Sequence, residues 1–254
     1  VTARSSFDLT GRRVVVTGAN TGIGQGIAVA VARAGGDVVG VARSPQGETA
    51  ARVREHGVRF DAVTCDLSDP AAARDAVDRA LDAIGSVHGL VNNAGIIRRA
   101  DALDFPEADW DAVMDVNLKA VFLLSQAFGR RLTAAGRPGK IVNIASVLSF
   151  QGGIRVASYT AAKHGVVGLT KILACEWAAK GINVNAIAPG YIETNNTEAL
   201  RADPDRSAAI LARIPAGRWG SPDDIGDTAV FLLSPASDYV HGSTVAVDGG
   251  WLAR

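Results

Sequence analysis

Near its amino end the chain runs from a short β-branched stretch, Arg13-Val-Val-Val-Thr17, into Gly18-Ala-Asn20-Thr21-Gly22-Ile23-Gly24 and then into small apolar residues as far as Ala34. A strand, a glycine turn and a helix in that order leave the backbone amides at the helix start free. Together with the positive end of the helix dipole they form a receptor for a phosphate group. The spacing is Gly-x3-Gly-x-Gly, not the Gly-x-Gly-x2-Gly of the common dinucleotide fingerprint. The strand–loop–helix context favours cofactor binding over an unliganded turn.

Strand-like and helix-like segments alternate along the rest of the chain. Residues 37–42 read as a strand, 47–56 as a polar helix and 58–64 as a strand. Residues 70–84 read as a helix with Pro70 at its start and Gly85 past its end. Residues 89–91, 140–144, 182–187 and 243–247 are further short apolar strands, and 110–135 and 159–180 are long helices, the second closed by Gly181. Strands this apolar are buried on both faces, which calls for an α/β fold with a seven-stranded parallel sheet covered by helices.

The 254 residues suit one α/β domain, or two small ones at most, and 48% of them are apolar, enough to fill a large core. Lys+Arg and Asp+Glu each number 26, so no basic excess offers itself to nucleic acid or to an acidic membrane surface. Cys65 and Cys175 are not in a metal-ligand spacing, and His56, His88, His164 and His241 have no convincing partners, so no metal is expected. The cysteine usage suits a reducing cytoplasm. No apolar run reaches the roughly 18 residues of a membrane span, and residues 1–8 lack the apolar stretch of a signal peptide. The segment from Pro189 to Pro222 breaks the strand–helix rhythm. It is polar and helical and follows a strand end, so it reads as a substrate lid on the single domain, with an ordinary pair of surface helices as the alternative.

Two further features concern chemistry. A carboxylate roughly 20 residues beyond the glycine loop would receive a ribose 2′-hydroxyl. The second strand instead ends at Ala42-Arg43, and Asp37 sits at its other end, so Arg43 is placed to pair with a 2′-phosphate. Ser146 follows the fifth strand, and Tyr159 and Lys163 lie one turn apart on one face of a helix. A tyrosine working near neutrality must lower its pKa from about 10 by roughly three units, about 4 kcal/mol. An ammonium about 4 Å away at an effective dielectric of 20 supplies on the order of 4 kcal/mol. The set suits carbonyl reduction or alcohol oxidation, with hydride moving to or from nicotinamide, the proton passing through Tyr159, and Ser146 orienting the substrate oxygen.

Taken together, Thr17-Gly18-Ala-Asn-Thr-Gly22-Ile-Gly24, Asn92-Asn-Ala-Gly95, Asn117, Ser146, Tyr159-Thr-Ala-Ala-Lys163 and Pro189-Gly190 resemble the short-chain dehydrogenase/reductase family in order and spacing, over essentially the whole chain. The resemblance implies a doubly wound Rossmann-type sheet and a catalytic tetrad of Asn117, Ser146, Tyr159 and Lys163, with Asn117 holding a water that relays protons through Lys163. It implies a cofactor site of Gly18, Asn20, Thr21, Gly22, Ile23, Gly24 and Arg43, with Asp66 and Leu67 toward the adenine. Asn92, Ala94 and Gly95 join on the ribose side, with Tyr159 and Lys163 beside them, and then Pro189, Gly190, Ile192 and Thr194, the last on the carboxamide or phosphates. The segments 144–156, 188–196, 214–220 and 248–254 further resemble the branch of that family acting on 2-deoxy-gluconate-type sugar acids, usually with NAD. Arg43 points instead to NADP, so the cofactor is NAD or NADP. The family also implies a homotetramer.

A keto-deoxy sugar acid needs a cation for its carboxylate. Arg98, Arg99, Arg155 and Arg218 are candidates, Arg155 being nearest in sequence to Tyr159. Ser146, Gln151, Tyr191, Asn195 and Asn196 could meet the carbonyl and hydroxyls. Rival readings are a reductase of an alginate-derived uronate or of a 3-oxoacyl thioester and, in another class, a dinucleotide-binding sensor without turnover.

Overall fold

The computed structural model describes residues 5–84 and 87–254, with backbone alone over 81–84. Seven strands form one sheet: β1 Arg13–Thr17, β2 Asp37–Ala42, β3 Phe60–Thr64, β4 Gly89–Asn92, β5 Gly139–Ile144, β6 Ile182–Pro189 and β7 Thr244–Val247. All pair in parallel, in the order β3-β2-β1-β4-β5-β6-β7. The winding reverses between β1 and β4, so the loops leaving their carboxyl ends diverge and open a crevice there.

Nine α-helices among the described residues cover the sheet: α1 Gly22–Arg33, α2 Gly47–Arg54, α3 Pro70–Ile84, α4 Glu107–Met114, α5 Ala120–Ala134, α6 Ala157–Trp177, α7 Glu198–Ala202, α8 Pro204–Leu211 and α9 Pro222–Leu233. Alternate strand residues face opposite layers. Val14, Val16, Val38 and Val142 pack with Ile27 of α1 and Ile225 of α9. Val15, Val39 and Ile141 pack with Val77 of α3 and Leu124 of α5. This two-sided burial is what the uninterrupted apolar strands call for.

The structure departs from the expected elements chiefly in three places. The long helix expected at 110–135 begins at Glu107, just after Pro106, and is widened between α4 and α5 by a π-helical turn, Asp115–Lys119. The other long helix starts earlier, at Ala157, and its α-helical part ends at Trp177, followed by a 3₁₀ turn and Gly181 at φ 75°. The expected stop at Gly85 lies outside the described residues. Helix α9 is absent from the sequence reading, although Ser221 and Asp224 form its capping box and Pro222 opens it. Helix α9 lies close against α1: a Cβ on Gly26 would meet Pro222 at 2.6 Å and one on Gly226 would meet Ala30 at 2.7 Å. Three of the histidines read as partnerless are in fact engaged, His164 with the Thr160 carbonyl at 3.0 Å. His88 accepts from the Arg13 amide and meets Arg137, and His241 meets Asn183.

Candidate active site

At the carboxyl end of β1 the chain must turn sharply, and Gly18 and Gly22 do so at φ 66° and 56°. A Cβ on Gly24 would lie 2.1 Å from the Gly18 carbonyl, so the first turn of α1 is pressed directly onto the loop. Gly24 therefore builds the cradle from behind and is not among the residues lining the cleft. Thr21 caps α1 without a side-chain bond and the first turn carries no acid, which leaves its amides to an anion. These features fit a dinucleotide pyrophosphate. We expect Gly24→Ala to raise the Kd of either dinucleotide at least about tenfold and to lower Tm, because a backbone carbonyl has to move. Isothermal titration and a melting curve check this.

The cleft above this loop is about 550 Å³. It runs past Arg43, Asp66 and Leu67 at one end to Tyr159, Lys163 and Thr194 at the other. Asn93 lines it and Asn92 does not. Neighbouring residues of an extended strand point to opposite faces, so Asn92 is buried and donates to Ser125 and to Asn143, linking β4 to α5 and β5. Asn93 instead donates its side-chain amide to the carbonyls of Thr17 and Gly18 at 2.9 and 3.3 Å, fixing the glycine loop. The sequence contained this distinction only as a strand end, whose exact position decides which asparagine faces outward. Pro189 and Gly190 end β6 away from the cleft lining, with Gly190 held against Asp248. Ile192 is buried under the following segment.

At the ribose end, Arg43 is not a free cation: its guanidinium stands 3.8 Å from Asp66. The Asp66 carboxyl is held below the usual range first by the Ser68 amide, then by the Ser68 hydroxyl, with Arg43 contributing least. Both side chains are exposed, so the pair is weak and can open to a phosphate. Asp37 is tied to Arg59 and Arg13 at the far end of β2. We expect Arg43→Ala to raise the Kd for NADPH about tenfold more than that for NADH. Equal effects in parallel titrations would remove Arg43 from this role.

Helix α6 carries Tyr159 and Lys163 on its cleft-facing side. The Lys163 ammonium lies 5.6 Å from the centre of the Tyr159 ring and donates to the Ile144 carbonyl at 2.6 Å. Burial lowers its pKa to about 8. Tyr159 does not show the depressed pKa expected from an adjacent ammonium. Burial raises its phenol, and the Ser146 hydrogen bond and the Arg99 charge only partly oppose that. The lysine nitrogen is hydrogen-bonded to the last residue of β5, and burial of the phenol outweighs the interactions that favour its charged form. Ser146 follows β5, and its hydroxyl accepts from the Leu148 amide at 3.1 Å. Ser149 fastens this corner to the helix: its hydroxyl donates to the Lys163 carbonyl at 2.7 Å and accepts from the Ser146 amide. Sequence reading missed Ser149.

Asn117 sits on the π turn and is fully buried. Its side chain accepts from the Ile96 amide and donates to the Ile96 carbonyl, both at 2.8 Å. The amide ties the π turn to the β4 loop and keeps a second N–H, and π turns are frequent at functional sites.

The other expected substrate residues divide. Arg98 and Asn195 line the cleft, Arg98 paired with Asp109 at 3.2 Å. Arg155 is turned outward at φ 63° and paired with Asp101. Arg218 is clamped by both oxygens of Asp224. Gln151 accepts from Arg213, and the Tyr191 ring is wedged against Trp219 and Trp251. Gln151, Arg155 and Tyr191 thus lie outside the cleft lining. The segment expected as a lid has a narrow neck: Glu193 donates to the Gly220 carbonyl and Gly220 to the Tyr191 carbonyl. Beyond it lie α7 and α8, and Thr194 leans over Gly22 of the glycine loop.

A reversed α/β sheet with a phosphate cradle and a buried Tyr–Lys pair defines a dinucleotide-dependent oxidoreductase. A family model described as enoyl-(acyl carrier protein) reductase matches residues 18–252. The chain is 57% identical over 250 residues to the 2-dehydro-3-deoxy-D-gluconate 5-dehydrogenase of Dickeya dadantii, covering 98% of this chain and 99% of that one. Among solved structures, a provisionally assigned 2-deoxy-D-gluconate 3-dehydrogenase from Agrobacterium tumefaciens with NADP bound is 63% identical, with a TM-score of 0.94 over 99% of this chain and all of that one. A provisionally assigned gluconate 5-dehydrogenase from Beutenbergia cavernae, with NADP at low occupancy, is 52% identical with a TM-score of 0.94, over 98% of this chain and 100% of that one. The chain belongs to the short-chain dehydrogenase/reductase family and is an NAD(P)-dependent enzyme of it. No helix among the described residues is long and apolar enough to cross a membrane.

Proposed function

We propose that this enzyme interconverts a ketone and a secondary alcohol on a small deoxy sugar acid of the 2-dehydro-3-deoxy-gluconate type. The observation that carries the reading is the buried Tyr159–Lys163 pair, with Ser146 against the phenol, on the wall of a cleft whose floor is the glycine cradle. The similarity to the Dickeya enzyme, sustained over nearly the whole of both chains, favours the sugar-acid class over thioesters. A 3-oxoacyl-carrier-protein reductase of Vibrio cholerae is only 38% identical.

The Gly18–Gly22 loop, Asn93 and Thr194 would hold a dinucleotide in the cleft, and its nicotinamide would supply or take up the hydride. In the reductive direction the substrate oxygen takes a hydrogen bond from the Ser146 hydroxyl and the proton from Tyr159. In oxidation Tyr159 takes that proton back. Lys163, titrating near 8, steadies the phenolate charge and returns the proton at neutral pH. Asn117 holds the β4 loop that forms the facing wall. Residues 189–222, hinged at Tyr191 and Gly220, serve as the lid over a single catalytic domain. The two free cysteines suit a cytoplasmic enzyme, and the family relationship suits a homotetramer. The test is an absorbance assay of NADH and NADPH oxidation over a panel of keto-deoxy sugar acids and 3-oxoacyl thioesters. Turnover of the sugar acids at a kcat/KM well above that of the thioesters is expected; the reverse order would overturn the reading.

A further inference from the structure

Ser146 and Tyr159 have to meet one substrate oxygen, yet they stand on different elements. Ser146 lies just past β5, and Tyr159 lies in the first turn of α6. The connection between them has neither helix nor strand from residue 150 to 156, so regular backbone bonding does not set their separation. Ser149 joins the two elements directly. This residue is buried, and its hydroxyl donates to the Lys163 carbonyl, one turn beyond Tyr159, at 2.7 Å while accepting from the Ser146 amide at 3.3 Å. Its own amide donates to the Ser146 carbonyl at 2.8 Å. One residue therefore grips Ser146 at both of its backbone polar groups. The Ser146 hydroxyl accepts from the Leu148 amide, which leaves its one hydrogen for the phenol. The bond from the Lys163 ammonium to the Ile144 carbonyl holds β5 two residues earlier, and the corner itself is left to Ser149.

We propose that Ser149 is a positioning residue for the reaction: its hydroxyl fixes the Ser146 corner against α6, so that the Ser146 hydroxyl is aimed at the Tyr159 phenol and the substrate oxygen together. The inference rests on the reading of Tyr159 as proton donor. Ser149 does not line the cleft, so it acts through Ser146. A hydrogen bond to a phenolate favours the charged form, and the bond from Ser146 pulls the phenol downward against burial. Once the corner loosens, that bond weakens and the phenol titrates at higher pH. The other charged groups facing the phenol are Lys163 on its own helix and Arg99 beyond the β4 loop. Both keep their own anchors, Lys163 on the Ile144 carbonyl and Arg99 on the Asn196 carbonyl.

The experiment follows reduction of a keto-deoxy sugar acid by NADPH across the neutral to alkaline range in the wild type, Ser149→Ala, Ser149→Cys and Thr170→Val. Thr170 is the control, a second buried hydroxyl between β5 and α6. It accepts from the Asn143 side chain at 2.9 Å and donates to the Val166 carbonyl at 2.8 Å, about two turns beyond Lys163. In Ser149→Ala kcat is expected to fall about tenfold with KM for NADPH unchanged, and the alkaline limb of the profile to move up by about half a pH unit or more. Ser149→Cys fills the same space with a weaker donor and shows the same changes in smaller measure. Thr170→Val lowers Tm comparably and leaves the profile where it is. A wild-type profile in Ser149→Ala whatever its kcat, the same in Ser149→Cys should the alanine variant not fold, or an equal shift in Thr170→Val would overturn this inference while leaving Tyr159 as the donor. Full kcat in Tyr159→Phe would overturn the reading beneath it.

Discussion

Tyr159→Phe is expected to lose on the order of 10³-fold in kcat while binding NADPH with close to the wild-type Kd. The phenol sits against the Ser146 hydroxyl at the deep end of the cleft, and it is the acidic group placed to meet a substrate oxygen there. Removing one oxygen deletes the proton donor without reshaping the wall, because the ring keeps its place over Lys163. The phosphate cradle lies at the other end of the cleft and keeps its hold on the dinucleotide. Fluorescence titration with NADPH and steady-state kinetics separate the two effects. Retention of more than about a tenth of kcat would mean that another group supplies the proton.

Lys163→Met is expected to reduce kcat by about 10²-fold or more and, at neutral pH, to make the fold more stable. The ammonium is almost fully buried, with the Ile144 carbonyl as its hydrogen-bond partner, and its pKa falls from 10.5 to about 8. A lysine whose folded pKa lies below its unfolded value costs stability while it is charged in both states. That cost is fully present below about pH 8 and disappears as pH rises from about 8 toward 10.5, where the unfolded chain binds the extra proton. The shift corresponds to roughly 3 kcal/mol, partly offset in the variant by the unpaired Ile144 carbonyl. Urea unfolding at pH 7 and at pH 9.5 checks the sign: the advantage of Lys163→Met shrinks at the higher pH. An advantage independent of pH would mean that the lysine is not held as a buried cation.

Much of this was legible in the sequence. The short β-branched run Val14–Val15–Val16, bounded by the glycine loop, reads as a two-sided parallel strand, and that loop marks the reversal point as a phosphate cradle. Tyr159 and Lys163 are placed together by helical spacing alone. Three things were not legible. Which of Asn92 and Asn93 faces the cleft depends on strand alternation at a boundary, and a shift of one residue inverts the answer. The pKa of Tyr159 depends on how deeply folding buries the phenol and on Ser146 and Arg99, which folding brings to it, and helical spacing reports none of these. The duties of the arginines depend on Asp101, Asp109 and Asp224, which folding brings to Arg155, Arg98 and Arg218. Helix α9 had a clear start signal in Ser221-Pro222-Asp223-Asp224 that the reading of 189–222 as one lid segment obscured.

Proton transfer through Tyr159, coupled to hydride transfer in one cleft, is the centre of the account. Its most direct test is single-turnover oxidation of bound NADPH by a keto-deoxy sugar acid, followed across the neutral to alkaline range in the wild type and Tyr159→Phe. The account predicts a rate governed by one ionisation in the wild type, and a slow, pH-independent rate in the variant. The same ionisation persisting in Tyr159→Phe would contradict it.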